Sequence, residues 1–61
     1  MTGERETLFE FRRIGRSVKV TAIDSESLTE VSFLGPANAG EAELRRIAIA
    51  KLDYVMTKNR S

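Results

Sequence analysis

Phe9-Glu10-Phe11-Arg12-Arg13-Ile14, then Gly15-Arg16, then Ser17-Val18-Lys19-Val20-Thr21-Ala22-Ile23, is the stretch that decides the fold. Apolar and polar residues alternate with a period of two on both sides of Gly15-Arg16, as in strands with one buried face. A two-residue turn with glycine first suits the type II′ hairpin, whose first position takes a positive φ. That turn pairs Arg13 with Val18, Phe11 with Val20 and Phe9 with Ala22, so the larger apolar residues share one face. A slip of one residue would scatter them over both faces, which fixes the register.

Further along, Leu28 to Leu34 alternates in the same way and supplies a third strand. Setting Val20 opposite Val31 puts Val18 opposite Phe33 and Ala22 opposite Thr29. Asp24-Ser25-Glu26-Ser27 is then a four-residue loop. One face of this meander collects Phe9, Phe11, Val18, Val20, Ala22, Val31 and Phe33. The other carries Glu10, Arg12, Lys19, Thr21, Glu30 and Ser32 in its middle. Leu8, Ile23 and Leu28 lie at one end of that second face, and Ile14 and Leu34 at the other. Lys19 falls diagonal to both Glu10 and Glu30, so solvated ion pairs are expected there. Gly35-Pro36 stops the third strand, because proline cannot donate to a ladder.

After the connector, Asn38-Ala39-Gly40-Glu41 has the form of a capping box, with Asn38 as N-cap and Glu41 reaching back to it. No proline follows before Lys58. At 100° per residue, Tyr54, Ile47, Leu44, Val55, Ala48, Leu52, Met56 and Ile49 span roughly 220° of the helix surface, interrupted by Lys51, Lys58 and Arg45. The expected fold is therefore α+β: a three-stranded antiparallel meander followed by one C-terminal helix packed on the phenylalanine face, β-β-β-α. Residues 8–58 form the single domain. Residues 1–7 are expected to be disordered and residues 59–61 frayed.

One small sheet covers about half of so wide an apolar arc, since a surface helix usually shows a stripe of somewhat over 100°. A second copy of the chain is the simplest cover for the rest. Leu44, Ala48, Leu52 and Val55 lie at the centre of the arc and should face a sheet. Ile47 and Tyr54 on one flank, or Ile49 and Met56 on the other, should meet the second protomer. The short Gly35-Pro36 connector also suits an exchange of helices between protomers.

Size points the same way. In a chain of 61 residues, apolar burial and the entropy of ordering nearly cancel. With no cysteine and no histidine, disulfides and a structural zinc are excluded, leaving oligomerisation as the available staple. Ten basic and nine acidic residues give a net charge of +1, so no strong field draws in nucleic acid or an anionic membrane. Met1-Thr2-Gly3-Glu4 opens without an apolar export segment, which leads to an expected cytoplasmic location.

Candidate chemistry is thin. No histidine is present to activate Ser17, Ser25, Ser27 or Ser32, and there is no cysteine nucleophile. Lys51, inside the apolar arc, is best explained as a side chain with a buried stem and a solvated head. Gly35-Pro36-Ala37-Asn38-Ala39-Gly40 has the spacing of the two glycines of a phosphate loop, but Glu41-Ala42 follow where lysine and Ser/Thr are needed. Asp24, Glu26 and Glu30 have the density of a calcium loop without its mid-loop glycine or its terminal bidentate glutamate. Arg12, Arg13, Arg16 and Lys19 cluster about the first hairpin next to Phe9 and Phe11, the residue types that grip single-stranded nucleic acid. The register, however, turns both rings toward the helix. No catalytic, cofactor or metal residue is therefore assigned.

The stretches Phe9-Glu10-Phe11-Arg12-Arg13-Ile14-Gly15, Ser17-Val18-Lys19-Val20-Thr21-Ala22-Ile23-Asp24 and Glu30-Val31-Ser32 through Gly35-Pro36-Ala37 to Lys51-Leu52-Asp53-Tyr54-Val55 resemble a family of short uncharacterised alphaproteobacterial proteins. The likeness spans most of residues 8–58 and is most specific at Gly35-Pro36-Ala37. It implies a bacterial cytoplasmic protein without a known activity. The loop Asp24-Ser25-Glu26-Ser27-Leu28 departs from the Pro/Gly-containing loop of such proteins. Taken together, the expectation is a non-enzymatic homodimer that serves as an interaction or regulatory module, meeting itself and an unidentified protein. Its alternative is a nucleic-acid-binding accessory protein that uses the hairpin cations.

Overall fold

The computed structural model describes residues 6–59. Three strands, β1 (Thr7–Ile14), β2 (Ser17–Asp24) and β3 (Glu30–Pro36), precede one helix, α1 (Glu41–Asn59). The strands form a single antiparallel sheet in the order β1-β2-β3, so the architecture is the expected β-β-β-α. Of the ends expected to be disordered or frayed, residues 1–5 and 60–61 lie outside the described residues. Thr7 already belongs to β1, and the Glu6 carbonyl accepts a hydrogen bond from the Ser25 amide at 2.9 Å.

The first hairpin has the expected register, with Phe9 opposite Ala22, Phe11 opposite Val20 and Arg13 opposite Val18. Gly15 takes φ +60°, while Arg16 keeps a negative φ, as a type II′ turn requires. The second hairpin corrects the sequence reading by two residues. Val20 lies opposite Phe33, Ala22 opposite Val31 and Val18 opposite Gly35. Leu28 and Thr29 consequently belong to the loop instead of the strand. Because side chains alternate with a period of two, a two-residue slip leaves every residue on its face, and hydrophobic patterning cannot detect it.

The loop itself sets that register. Asp24 is 2% exposed, and its Oδ2 accepts hydrogen bonds from both the amide and the hydroxyl of Ser27, each at 2.8 Å. The Asp24 carbonyl accepts from the Leu28 amide at 2.7 Å, which brings Leu28 round at φ +62°. The Asp24 amide then donates to the Thr29 carbonyl at 2.9 Å and closes the hairpin one pair beyond Ile23 and Glu30. The shift also moves Glu30 away from Lys19. Among the described residues Lys19 makes no ion pair, so the expected pairing with Glu10 and Glu30 is absent.

The helix begins later than its capping box suggested. A turn closes from the Ala39 amide to the Pro36 carbonyl at 3.0 Å, which commits the connector to a different shape. The first helical bond runs from the Leu44 amide to the Gly40 carbonyl at 3.1 Å, so Gly40, not Asn38, is the N-cap. Glu41 and Glu43 lie in the first turn and Lys58 in the last, each matching the helix dipole. Glu41 bonds Arg45 at 2.7 Å and Glu43 bonds Arg46 at 2.6 Å along the exposed side.

Val20, Ala22, Leu44, Ala48 and Leu52 form the buried core. Phe9, Phe11, Val18, Val31, Phe33, Ala39 and Met56 pack around it, half-buried. All seven sheet residues assigned to the helix-facing side are among these. Close approach at one point depends on glycine, because a Cβ on Gly35 would lie 2.8 Å from Leu44 Cδ2. Leu44 drops into the space that the missing side chain leaves, seating the first turn of α1 on β3.

Candidate functional site

The helix does not lie centrally on the sheet. It packs on β2 and β3, leaving β1 at the margin. The half-buried rings of Phe9 and Phe11 stack there, 6.3 Å apart and 25° from parallel. Besides their contacts with the core, they have the Arg45 guanidinium above them, 5.3 Å from the Phe9 centroid and 5.9 Å from that of Phe11. A guanidinium so placed is held by the ring quadrupoles while its edge stays in water. Ile49, one turn on from Arg45, is 43% exposed, and Met56 follows two turns later, half-buried. Arg45, Ile49 and Met56 thus form the flank of α1 on the β1 side.

The other flank faces β3. Lys51 Nζ sits 5.6 Å from the Phe33 centroid, so the stem of this lysine covers apolar surface and its head remains solvated. Tyr54 is 66% exposed and Ile47 half-buried. Val31, Ser32, Ala50, Lys51, Tyr54 and Val55 line a depression of about 550 Å³ that opens to solvent. The four flank residues singled out in the sequence are therefore divided: Ile49 and Met56 on one side of the helix, Ile47 and Tyr54 on the other.

Hydrogen-bond parity decides what the sheet edges offer. The Asp24 amide bonds toward β3 and the Ser25 amide toward Glu6, beyond the start of β1. Even-numbered residues of β2 therefore bond β3, and odd-numbered ones bond β1. Through the register, Leu8, Glu10, Arg12 and Ile14 use their backbone groups inward, whereas Thr7, Phe9, Phe11 and Arg13 present theirs outward. On β3 the outward positions are Glu30, Ser32, Leu34 and Pro36, and proline has no amide to offer. The β3 edge is blunted, and among the described residues no strand covers the β1 edge.

The hairpin cations do not make one patch. Arg12 and Lys19 stand directly opposite each other on the face away from the helix. Arg13 lies on the helix side, with its Nε donating to the Gly15 carbonyl at 2.7 Å, and Arg16 occupies the turn. Arg13 and Arg16 line a shallow depression with Pro36, Ala37 and Asn38. On the open face the ends are apolar and bare: Leu8 is 55% exposed, Ile14 51% and Leu34 64%.

The three loop acids also separate. Asp24 is buried on Ser27, while Glu26 and Glu30 are exposed, and among the described residues no three metal-ligating side chains converge. The burial of Asp24 escaped the sequence reading, although an aspartate three residues before a serine is a recognisable local cap. On the helix, Glu43 is held below the usual carboxylate range by its hydrogen bond to Arg46 and then by the charge of that guanidinium. The Arg46 guanidinium is raised in return by the same contact. Among the described residues no helix is long and apolar enough to cross a membrane.

A family model described as "Domain of unknown function (DUF6898)" matches residues 4–59. No curated protein and no solved structure matches the chain.

Proposed function

The chain belongs to that domain family of unknown function, and from this premise we propose that it is a non-enzymatic homodimeric interaction module of the bacterial cytoplasm. The observation that carries the reading is the thinness of the core. Among the described residues five apolar side chains are buried, whereas Ile49, Tyr54, Leu8, Ile14 and Leu34 are exposed. At this size a lone sheet and helix give a marginal balance, and association is the staple compatible with a chain that has no cysteine or histidine. In the proposed dimer each protomer's helix seats on its own sheet through the Gly35–Leu44 fit.

Support for a non-enzymatic role comes from composition and shape together. No histidine or cysteine is present, and Lys51 lies over Phe33 beside an open depression, not in an enclosed polar pocket. Binding of nucleic acid through Arg12, Arg13, Arg16 and Lys19 has less support, because these cations divide between two faces and the turn.

Sedimentation equilibrium of the full chain at micromolar concentration tests the proposal. A species of twice 6.8 kDa is expected; a folded 6.8 kDa monomer would refute it. A salt-dependent shift of the dimer with single-stranded RNA would favour the nucleic-acid reading instead.

A further inference from the structure

We infer that the second copy docks along β1, antiparallel to it, with Phe11 of one protomer opposite Phe11 of the other. This rests on the homodimer proposed above and specifies its interface. The starting point is the open edge, whose free backbone groups belong to Thr7, Phe9, Phe11 and Arg13. A two-fold symmetric pairing must set these odd-numbered residues against odd-numbered ones, so its centre falls on a single residue of the strand. The four central positions are Phe9, Glu10, Phe11 and Arg12.

Side chains on the face away from the helix discriminate among them. Centring on Glu10 would set Glu10 against Glu10, and centring on Arg12 would set Arg12 against Arg12. Like charges directly opposite are destabilising. Centring on Phe9 would set the exposed Leu8 against the Glu10 carboxylate. Centring on Phe11 sets Glu10 against Arg12 of the second copy and Leu8 against Ile14 of the second copy, and symmetry repeats both pairs. This one register satisfies two charges and covers two exposed apolar side chains on each protomer.

Two features of the isolated protomer agree. Arg12 stands opposite Lys19, a like-charge pair, and among the described residues neither Glu10 nor Arg12 makes an ion pair. A carboxylate from the second copy relieves that repulsion. On the helix side, the Phe11 rings of the two copies meet across the new seam, and each Phe9, stacked on its own Phe11 beneath Arg45, stands opposite Arg13 of the second copy. The other edge, blunted by Pro36, cannot pair along its full length.

Charge reversal tests the register. Glu10→Arg alone and Arg12→Glu alone should each weaken self-association roughly tenfold or more, because an attraction becomes a repulsion at two symmetric places. An equimolar mixture of the two variants should regain the dimer as a heterodimer, since every facing pair is then opposite in sign. Far-UV circular dichroism accompanies the mixing and separates loss of fold from loss of association. A second pair of variants avoids charge altogether. Facing residues on the even-numbered positions sit about 4.5 Å apart at Cα, within disulfide range. The chain has no cysteine of its own, so Glu10→Cys mixed with Arg12→Cys should cross-link on oxidation, and Glu10→Cys alone should cross-link far less. A wild-type monomer by sedimentation overturns the homodimer itself. A wild-type dimer that survives Arg12→Glu unchanged, with no cross-link between the cysteine variants, overturns the β1 interface and leaves the homodimer standing.

Discussion

Leu28 is held in a backbone conformation that leucine resists. Its φ of +62° lies in the left-handed region, and its side chain is 74% exposed, so it gains little burial in exchange. An L-residue there costs roughly 1–2 kcal/mol relative to glycine. Against this, a glycine makes the unfolded chain more flexible and forfeits about 0.4–1 kcal/mol. Comparing Leu28→Gly with Leu28→Ala removes the side chain in both and isolates the backbone. Glycine should emerge about 0.5–1 kcal/mol more stable than alanine, the reverse of the usual order. For a domain of this size that corresponds to roughly 2–8 °C in Tm. Thermal unfolding at one fixed protein concentration measures it, because association makes Tm depend on concentration. If alanine equals or exceeds glycine at position 28, the left-handed turn and the loop geometry built on it are wrong.

Asp24→Ala should cost about 1–3 kcal/mol in urea unfolding, since it removes a buried acceptor from the Ser27 amide and hydroxyl, and Asp24→Asn should cost less. Gly35→Ala should destabilise by about 1–3 kcal/mol, because the new methyl overlaps Leu44 Cδ2 at 2.8 Å; shortening Leu44 to valine in the same chain should recover part of the loss. Glu43 should titrate below an ordinary glutamate in carbon-detected NMR, and Arg46→Ala should return it to the normal range. A depressed folded-state value means that the contact stabilises the helix above the ordinary glutamate pKa, and this benefit fades as pH falls through the folded value. Ile47→Glu with Tyr54→Glu should leave the dimer intact in sedimentation, because that flank faces β3.

How far the sequence carried depended on whether a feature leaves a trace at period two. The first hairpin did, because Gly15-Arg16 fixes the turn and the alternation of Phe9, Phe11, Val18 and Val20 then allows one register. The faces of β3 did too, but its pairing did not. Val31 and Phe33 alternate identically in two registers, and the choice rests on a loop whose decisive bonds come from Asp24. A solvated acid and a buried one look alike in composition. The capping box at Asn38 failed for a related reason. Its residue types fit, but the turn closed by Pro36 and Ala39 had already committed the connector, leaving Gly40 to cap the helix. The centre of the helix stripe was legible at Leu44, Ala48 and Leu52. Where its flanks point was not, because that depends on which strands the helix lies over.

The off-centre seat of the helix links the two unlike edges of the sheet. Leu44 draws α1 toward β3 because Gly35 offers it room, and Pro36 in the same segment denies that edge its last amide. One short stretch thus covers β3 and blunts it. The cost falls on β1, where Phe9 and Phe11 stay half-buried beneath the Arg45 guanidinium. Adjacent strands are roughly 4.8 Å apart, so helices over the far strands of two paired sheets would stand about 20 Å from each other. Helices in direct contact stand 8–10 Å apart. Pairing at β1 would therefore gather the exposed apolar residues without closing them off. Four phenylalanines would floor a trough walled by Arg45, Ile49 and Met56 of both copies. A dimer built this way keeps an apolar cleft on its axis, which is the form a module needs if association is the means of presenting a surface to a further partner.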